Sequence, residues 1–274
     1  MNSEVSVIIV TFNRPKDVNE TVNSLLNQTV KPLEIIVIDD GSGAPINLKF
    51  RDKALKLIRF DREIGLSAAR NYGIRIAKGK YIAFIDDDAI AGKCWIQEVQ
   101  QGISIGDIIG GPIKPLYLAP PPKWWNEDDF GGYAGVCNWK DPQIWGANMV
   151  VKKEVFRAIG LFNTALGRKK GKLLGYEEIE FFARAKRRGF KVQFVPSAIV
   201  YHKVPPERMT LAYIIKWNYN AGKSLKIFEG FHPLRACFDI LFCLLEMISI
   251  RTILSQKLRI KKIAFMTLLL GKLM

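Results

Sequence analysis

The chain is poor in cysteine and histidine and carries no phosphate-binding glycine motif. Its four cysteines, Cys94, Cys137, Cys237 and Cys243, are scattered without CxxC spacing. That argues against a zinc ribbon or a disulfide framework and suits thiols in a reducing compartment. No GxGxxG follows the first hydrophobic run, and no GxxxxGK[ST] occurs anywhere, which argues against a dinucleotide-dependent dehydrogenase and a P-loop NTPase. Internal repeats and low-complexity tracts are lacking too. Met1 to Glu4 leads straight into a strand-like run without a charged n-region and hydrophobic segment, so no secretory signal is expected. No apolar run reaches the roughly 20 residues of a membrane-spanning helix. Acids are outnumbered: 26 Asp and Glu against 41 Lys and Arg give a net charge of +15. That balance favours an anionic partner, whether nucleotide, nucleic acid or acidic lipid, without choosing among them.

What is present centres on Tyr81-Ile82-Ala83-Phe84-Ile85-Asp86-Asp87-Asp88. The apolar run has the length and the aromatic and β-branched bias of a buried strand. Three carboxylates at its C-terminal end repel one another, so they imply a cation at that place, most simply a divalent metal carrying a phosphorylated ligand. The competing reading is a solvated acidic turn.

Neighbouring segments repeat the pattern. Val5 to Val10 reads as a buried strand ending in Thr11-Phe12-Asn13-Arg14-Pro15, and Val18, Val22, Leu25 and Leu26 follow at helical spacing. Leu33 to Ile38 ends in Asp39-Asp40-Gly41-Ser42, Leu55 to Phe60 is a shorter strand, and Gly65 to Gly79 is helical. Strands alternating with helices predict an α/β fold with a mainly parallel central sheet flanked by helices. In such sheets ligands bind beyond the carboxyl ends of the strands, so Thr11 and Asn13, Asp39 and Asp40, and Asp86 to Asp88 converge on one edge.

Further along, Trp95 to Ile105 reads as a helix and Asp107 to Pro115 as a strand with a Gly-Gly kink. Ala119 to Gly135 holds three prolines and the pair Trp124-Trp125. It reads either as a binding loop or as a cap on the core. Met149 to Val151 is a short strand, Lys153 to Ile159 a helix, and Asn163 to Gly175 a mobile basic loop. In the helix from Tyr176 to Gly189 acids lead and bases trail, the order that suits a helix macrodipole. A catalytic role for Glu177 or Glu178 requires them beside the aspartates. Phe190 to Val204 returns to strand character and delivers His202, one of only two histidines. Beyond Pro205-Pro206 the chain reads as helical, with apolar segments at Ala236 to Ile250 and Ile263 to Leu270 separated by Arg251, Lys257, Arg259, Lys261 and Lys262. That pattern over residues 234–274 suits an anionic membrane surface. A helical subdomain folded back on the sheet, or a dimer interface, is the alternative. The expected division is a catalytic domain over 1–204, its donor-binding half ending near residue 115 and its acceptor half spanning 116–204, and a helical extension over 205–274.

Taken in order, Val10-Thr11-Phe12-Asn13-Arg14, Ile38-Asp39-Asp40-Gly41-Ser42, Gly65-Leu66-Ser67-Ala68-Ala69-Arg70-Asn71, Phe84-Ile85-Asp86-Asp87-Asp88, Gly146-Ala147-Asn148, Glu177-Glu178 and Tyr201-His202 resemble glycosyltransferase family 2. The resemblance runs from about Val5 to Ser224 and implies a GT-A fold and an inverting, metal-dependent sugar transfer. It implies a nucleotide pocket of Thr11, Asn13, Arg14, Asp39, Arg70, Asp86 and Asp87, with Asp39 on the base and Asp86 or Asp87 on the ribose. It places Mg²⁺ or Mn²⁺ on Asp88 with His202. Gly146, Ala147 and Asn148, with Trp124, Trp125 and Glu177, would border the donor sugar and acceptor. The family's Glu-Asp pair is Glu177-Glu178 here, putting the catalytic base at Glu178 on an arm one methylene longer, with Glu177 or Glu180 as alternates. Expected partners are a nucleotide sugar, UDP favoured, a glycan or lipid-linked acceptor, and the cytoplasmic face of the cell membrane, but no nucleic acid. The readings weighed against this are a nucleotidyltransferase making nucleotide sugars and a basic nucleic-acid-binding protein. The first usually carries a Gly-rich basic loop after its first strand, and the second leaves the acid clusters unexplained.

Overall fold

The computed structural model describes residues 3–137, 144–230 and 256–274. The apolar segment expected over Ala236 to Ile250, with Cys237 and Cys243, lies outside the described residues.

The first strand, β1 (Val5–Thr11), shows how the layers arise. Side chains alternate across a strand, so Val5, Val7 and Ile9 enter one core while Ile8 enters the other. β2 (Glu34–Asp39) repeats this with Ile35 and Val37 against Ile36 and Ile38. Both faces are covered, which is why these strands read as continuous apolar runs. Helix α1 (Pro15–Leu26) starts with proline in its first turn and buries Val18, Val22 and Leu25 on one face of the sheet. Helix α2 (Leu66–Ile76) lays Ala69 and Ile74 on the other.

With β3 (Leu55–Arg59), β4 (Tyr81–Phe84), β6 (Ile108–Gly110), β8 (Met149–Lys152) and β9 (Val192–Phe194), the sheet has the order β3-β2-β1-β4-β8-β6-β9. Among its strands only β8 runs against the others. The mainly parallel sheet expected from the alternation of elements is therefore present. A second sheet of three strands has the order β5-β10-β7, from β5 (Ala89–Ala91), β7 (Ile113–Tyr117) and β10 (Val200–Val204).

Two stretches that read as single strands are each split between the sheets. Gly111-Pro112 separates β6 from β7, and Pro196 lies between β9 and β10. Proline has no N–H for the ladder, so each chain leaves the large sheet there and enters the small one. Helices α3 (Trp95–Gly102), α4 (Glu127–Phe130), α5 (Lys153–Ile159) and α6 (Glu177–Arg187) complete this part.

Thr210 caps α7 (Leu211–Glu229) by accepting a hydrogen bond from the Tyr213 N–H at 3.2 Å. Helix α8 (Gln256–Leu273) packs closely on α7, and at Gly222 and Gly271 the two backbones leave no room for a Cβ. Ile260 and Ala264 of α8 join Ile214 and Phe130 in a small core, while Lys257 and Lys261 pair with Asp129. This stretch of α8 thus folds back on the protein. No helix among the described residues is long and apolar enough to cross a membrane.

Candidate active site

Register brings the acids together. Thr11 of β1 pairs with Asp39 of β2, and Ile8 of β1 with Phe84 of β4, so the ends of these parallel strands share one edge. At that edge a cleft of about 600 Å³ is lined by Thr11, Arg14, Asp40, Arg70, Asp86 to Asp88, Gly146, Ala147, Glu177, Glu178, His202 and Arg208.

The three aspartates differ. Asp87 is buried, accepting from the Thr11 hydroxyl at 2.8 Å and from Arg14 at 3.0 Å. Burial, with the charge of Asp88 next, raises its pKa. Asp88 is buried as well, and its Oδ2 accepts from Arg14 at 2.6 Å and from Arg208 at 2.8 Å. Burial opposes its charge, but His202, Arg208 and Arg14 outweigh burial and hold the carboxyl well below the usual range. Asp86 is the open one, its side chain 33% exposed and touched by Arg70 at 3.2 Å.

His202 reaches this corner through the small sheet. Antiparallel pairing sets it opposite Ala89, Lys203 donates its N–H to the Asp88 carbonyl at 2.9 Å, and His202 Nε2 lies 3.1 Å from Asp88 Oδ1. Asp86, Asp88 and His202 each offer a ligand atom within 4.8 Å of the others. Two carboxylates and an imidazole form a donor set that fits a divalent cation. Asp86 thus stands with the two residues expected from the sequence to hold the metal.

A second group is built around Arg70. This buried guanidinium donates to Glu177 Oε1 at 2.9 Å and to Asp86 Oδ1 at 3.2 Å, with Phe84 beneath it at 5.7 Å. A Cβ at Gly146 would stand 2.6 Å from the guanidinium, so any larger residue there would displace Arg70 from between Glu177 and Asp86. Tyr176 precedes α6 with φ +71° and has no side-chain cap, an uncommon conformation for a bulky residue. Glu177 and Glu178 follow in the first turn, and both line the cleft. Burial, and then the charge of Glu178, pushes Glu177 up to about 8 against the pull of Arg70. Glu178 Oε1 lies 3.4 Å from the Gly146 N–H.

Other expected site residues are placed elsewhere. Asp39 is fully buried and accepts from Arg59 at 2.7 Å and from the Ser42 N–H at 2.9 Å; Asp40 lines the cleft instead. Both carboxylates hold loop backbone, since Asp40 accepts from the Ile64 and Gly65 N–H groups at 2.8 and 2.9 Å. Asn13, at φ +56°, ties this loop to the next through Ser42 and Gly43 at 2.8 Å. Asn148 is buried, taking the Trp95 indole N–H at 2.9 Å and donating to the Ala198 carbonyl at 2.7 Å. Glu180 faces away, bound by Arg184 at 2.7 Å, which removes it as an alternate base. Trp124 packs edge-on and Trp125 tilted against Phe130, beside Ile214 and Ile260, so they cap a core and do not line the cleft.

Their place at the mouth is taken by Tyr133, Trp145 and Trp217, the first and last in edge contact at 5.1 Å. Arg168, Lys169 and Lys172 of the basic loop also line the cleft. That loop is tied down: Leu66 donates its N–H to Arg168 at 2.9 Å, and the Ser67 hydroxyl to Leu166 at 2.7 Å. The clustered lysines signalled these residues in the sequence, whereas Arg208, six positions after His202, carries no such signal.

Residues 6–160, more than half of the chain, match the family model of Glycosyl transferase family 2. Over 247 residues the chain is 27% identical to glucosyl-dolichyl phosphate glucuronosyltransferase of Haloferax volcanii, covering 84% of this chain and 79% of that protein. The solved structure of GalNAc-T7 with UDP, GalNAc and Mn²⁺ matches with a TM-score of 0.61 at 19% identity, over 88% of this chain and 51% of that one. The chain therefore spans about half the length of that structure. The mannosyltransferase PcManGT of Pyrobaculum calidifontis, solved with GDP-Man and Mn²⁺, matches at 0.57 and 16% identity, over 99% and 74% of the two chains. Both likenesses identify the fold as GT-A. Strand order, acidic edge and family match agree: the chain belongs to glycosyl transferase family 2 and is an enzyme of the glycosyltransferase type.

Proposed function

We propose that the protein transfers a sugar, with inversion, from a nucleoside diphosphate sugar to a hydroxyl of a glycan or lipid-linked acceptor. The observation that carries this is the meeting of two acid groups in one cleft, Asp86 and Asp88 with His202 on one side and Glu178 on the other. Asp86, Asp88 and His202 would hold a divalent cation, and the imidazole in the set favours Mn²⁺ over Mg²⁺. When bound, the cation neutralises charge on the departing diphosphate. Arg14, Arg168, Lys169, Lys172 and Arg208 supply further positive charge in the same cleft. Asp86, the exposed member of the triple, suits the ribose side as well as the cation, whereas Asp87 is held inward by Thr11 and Arg14. Glu178 is the base that takes the acceptor proton, and Tyr133, Trp145 and Trp217 offer apolar faces for sugar rings.

UDP is the proposed nucleotide; the two structures named above were solved with UDP and with GDP-Man. The proposed place of action is the cytoplasmic face of the cell membrane, in keeping with a relative whose name specifies a dolichyl phosphate sugar. Exposed Ile227, Phe265 and Leu270 on α7 and α8, with Lys257, Arg259 and Lys261 exposed along α8, supply the surface. A thermal-shift series of UDP, GDP, dTDP and CDP with Mn²⁺ tests the donor reading. UDP with Mn²⁺ at 100 times its Kd should stabilise the fold by about 2.7 kcal/mol. If no nucleoside diphosphate raises the melting temperature, a nucleotide-sugar donor is ruled out.

A further inference from the structure

Glu177 and Glu178 are neighbours in the first turn of α6, and both line the cleft. Each has an oxygen, Oε2 in both cases, that is buried and finds no hydrogen-bond partner among the described residues. Two ionised carboxylates would leave both oxygens unsatisfied and set like charges against each other, a costly arrangement in a buried place. One proton between them removes both problems.

We propose that Glu177 and Glu178 work as a dyad holding a single proton, carried on Glu177 and donated to Glu178, which stays ionised as the base. This rests on the assignment of Glu178 as base made above. The atoms of Glu177 fit a neutral acid: Oε1 accepts from Arg70 at 2.9 Å, and Oε2 is left to carry the hydrogen toward Glu178. Depth decides which partner is neutral. Glu177 is 3% exposed, whereas Glu178 is half-buried and open to the cleft. The upward displacement of Glu177 to about 8 runs in the same direction.

The charges around the dyad come from several elements. Arg70 of α2 divides its guanidinium between Glu177 and Asp86. Arg168, Lys169 and Lys172 of the loop, Arg14, Arg208 and His202 line the same cleft. Tyr176 and Tyr133 add phenols that burial keeps protonated.

The dyad also gives the longer arm of Glu178 a fixed position. A glutamate has one more rotatable bond than an aspartate, and the hydrogen bond from Glu177 offsets that freedom at the residue that must meet the acceptor. In the transfer, the acceptor oxygen forms its bond to the anomeric carbon as the bond to the diphosphate oxygen breaks. The diphosphate leaves with that electron pair, and the hydroxyl proton passes to Glu178. The dyad then holds two protons, and one returns to water after the product leaves.

The test uses the full chain with ¹³C-labelled glutamate carboxyl groups, so that aspartates do not contribute. Infrared spectra without substrate should show one protonated glutamate carboxyl at pH 7 that disappears on titration to pH 9 and is missing from Glu177→Gln. Glu177→Gln keeps a donor toward Glu178 and an acceptor toward Arg70, so its kcat should fall by no more than about tenfold with the donor KM little changed. Glu178→Gln should lose about 10²–10⁴-fold, the usual worth of a general base. A spectrum of ionised glutamates alone at pH 7 overturns the shared proton, whatever the activity. So does a Glu177→Gln loss equal to that of Glu178→Gln in a protein that melts normally. If the infrared band is present but no nucleotide sugar is turned over, the dyad stands and the transferase assignment of Glu178 fails.

Discussion

Asp88 receives Arg14, Arg208 and His202 on its two oxygens. Arg208 is only 7% exposed, so its charge depends on that carboxylate for compensation. Asp88→Asn should therefore cost roughly 3–5 kcal/mol in urea denaturation, as expected when a buried ion pair loses one partner. The Mn²⁺-dependent part of the UDP-induced thermal shift should disappear with it. An unchanged midpoint together with an intact Mn²⁺ response would remove Asp88 from both roles. Glu177 acts in the opposite pH sense. Folded, it keeps its proton to about pH 8, while its ordinary value is 4.5. Between those values the native state binds the extra proton, so this contribution to stability is full below pH 4.5 and declines as pH rises toward 8. Melting curves of Glu177→Gln across that window should show a flatter decline than wild type; parallel curves would mean that Glu177 titrates normally.

At the scale of elements, strand β10 has the largest effect on the site. It leaves the large sheet's neighbourhood after Pro196 and pairs with β5, the strand that begins one residue after Asp88. That pairing turns a histidine 114 positions along the chain (202 − 88) into a neighbour of the acidic edge. The segment before and including α4 works differently. Trp124 and Trp125 pack with Phe130 beneath α7 and α8, whereas Tyr133 and Trp217 turn to the cleft. Trp125→Ala should destabilise the protein by about 2–4 kcal/mol in urea through lost packing, and UDP affinity measured by calorimetry should stay within about twofold of wild type. Trp217→Ala should do the reverse, melting near wild type while raising the acceptor KM. Should Trp125→Ala melt normally but lose donor binding, the loop would regain its binding role.

The whole molecule is a basic protein whose cleft sets Arg14, Arg168, Lys169, Lys172 and Arg208 beside the acidic sheet edge. That arrangement draws anions to the cleft and leaves surplus positive charge on the outside. Binding to vesicles containing anionic lipid should follow, weaken with salt, and be small on neutral vesicles. A chain ending before Leu234 should stay in the supernatant with those vesicles, its folding checked by the UDP-induced shift. Equal pelleting of the two chains would return residues 234–274 to a purely structural role. Part of that role is already visible, since Ile260 and Ala264 cover Phe130 and Ile214.

Local chemistry was enough to reveal much of this protein. Apolar runs such as Val5 to Val10 and Ile35 to Ile38 are strands because both faces are buried, and the helices between them force parallel pairing. The order of polar clusters at the strand ends then pointed to one edge, and the family motifs lay along it. Local pattern could not tell how two adjacent buried acids are used: Asp39 accepts from the Ser42 N–H and Arg59, whereas Asp40 accepts from the Ile64 and Gly65 N–H groups and borders the cleft. Nor could it separate Trp124 from Trp217, or show that Asn148 serves the core, because aromatic and amide side chains suit either environment. The place of Arg208 beside Asp88 and the Arg70 bridge from Glu177 to Asp86 exist only once distant segments are packed together. Sequence periodicity records which face of an element is buried, whereas the partner across the interface is set by how the elements pack.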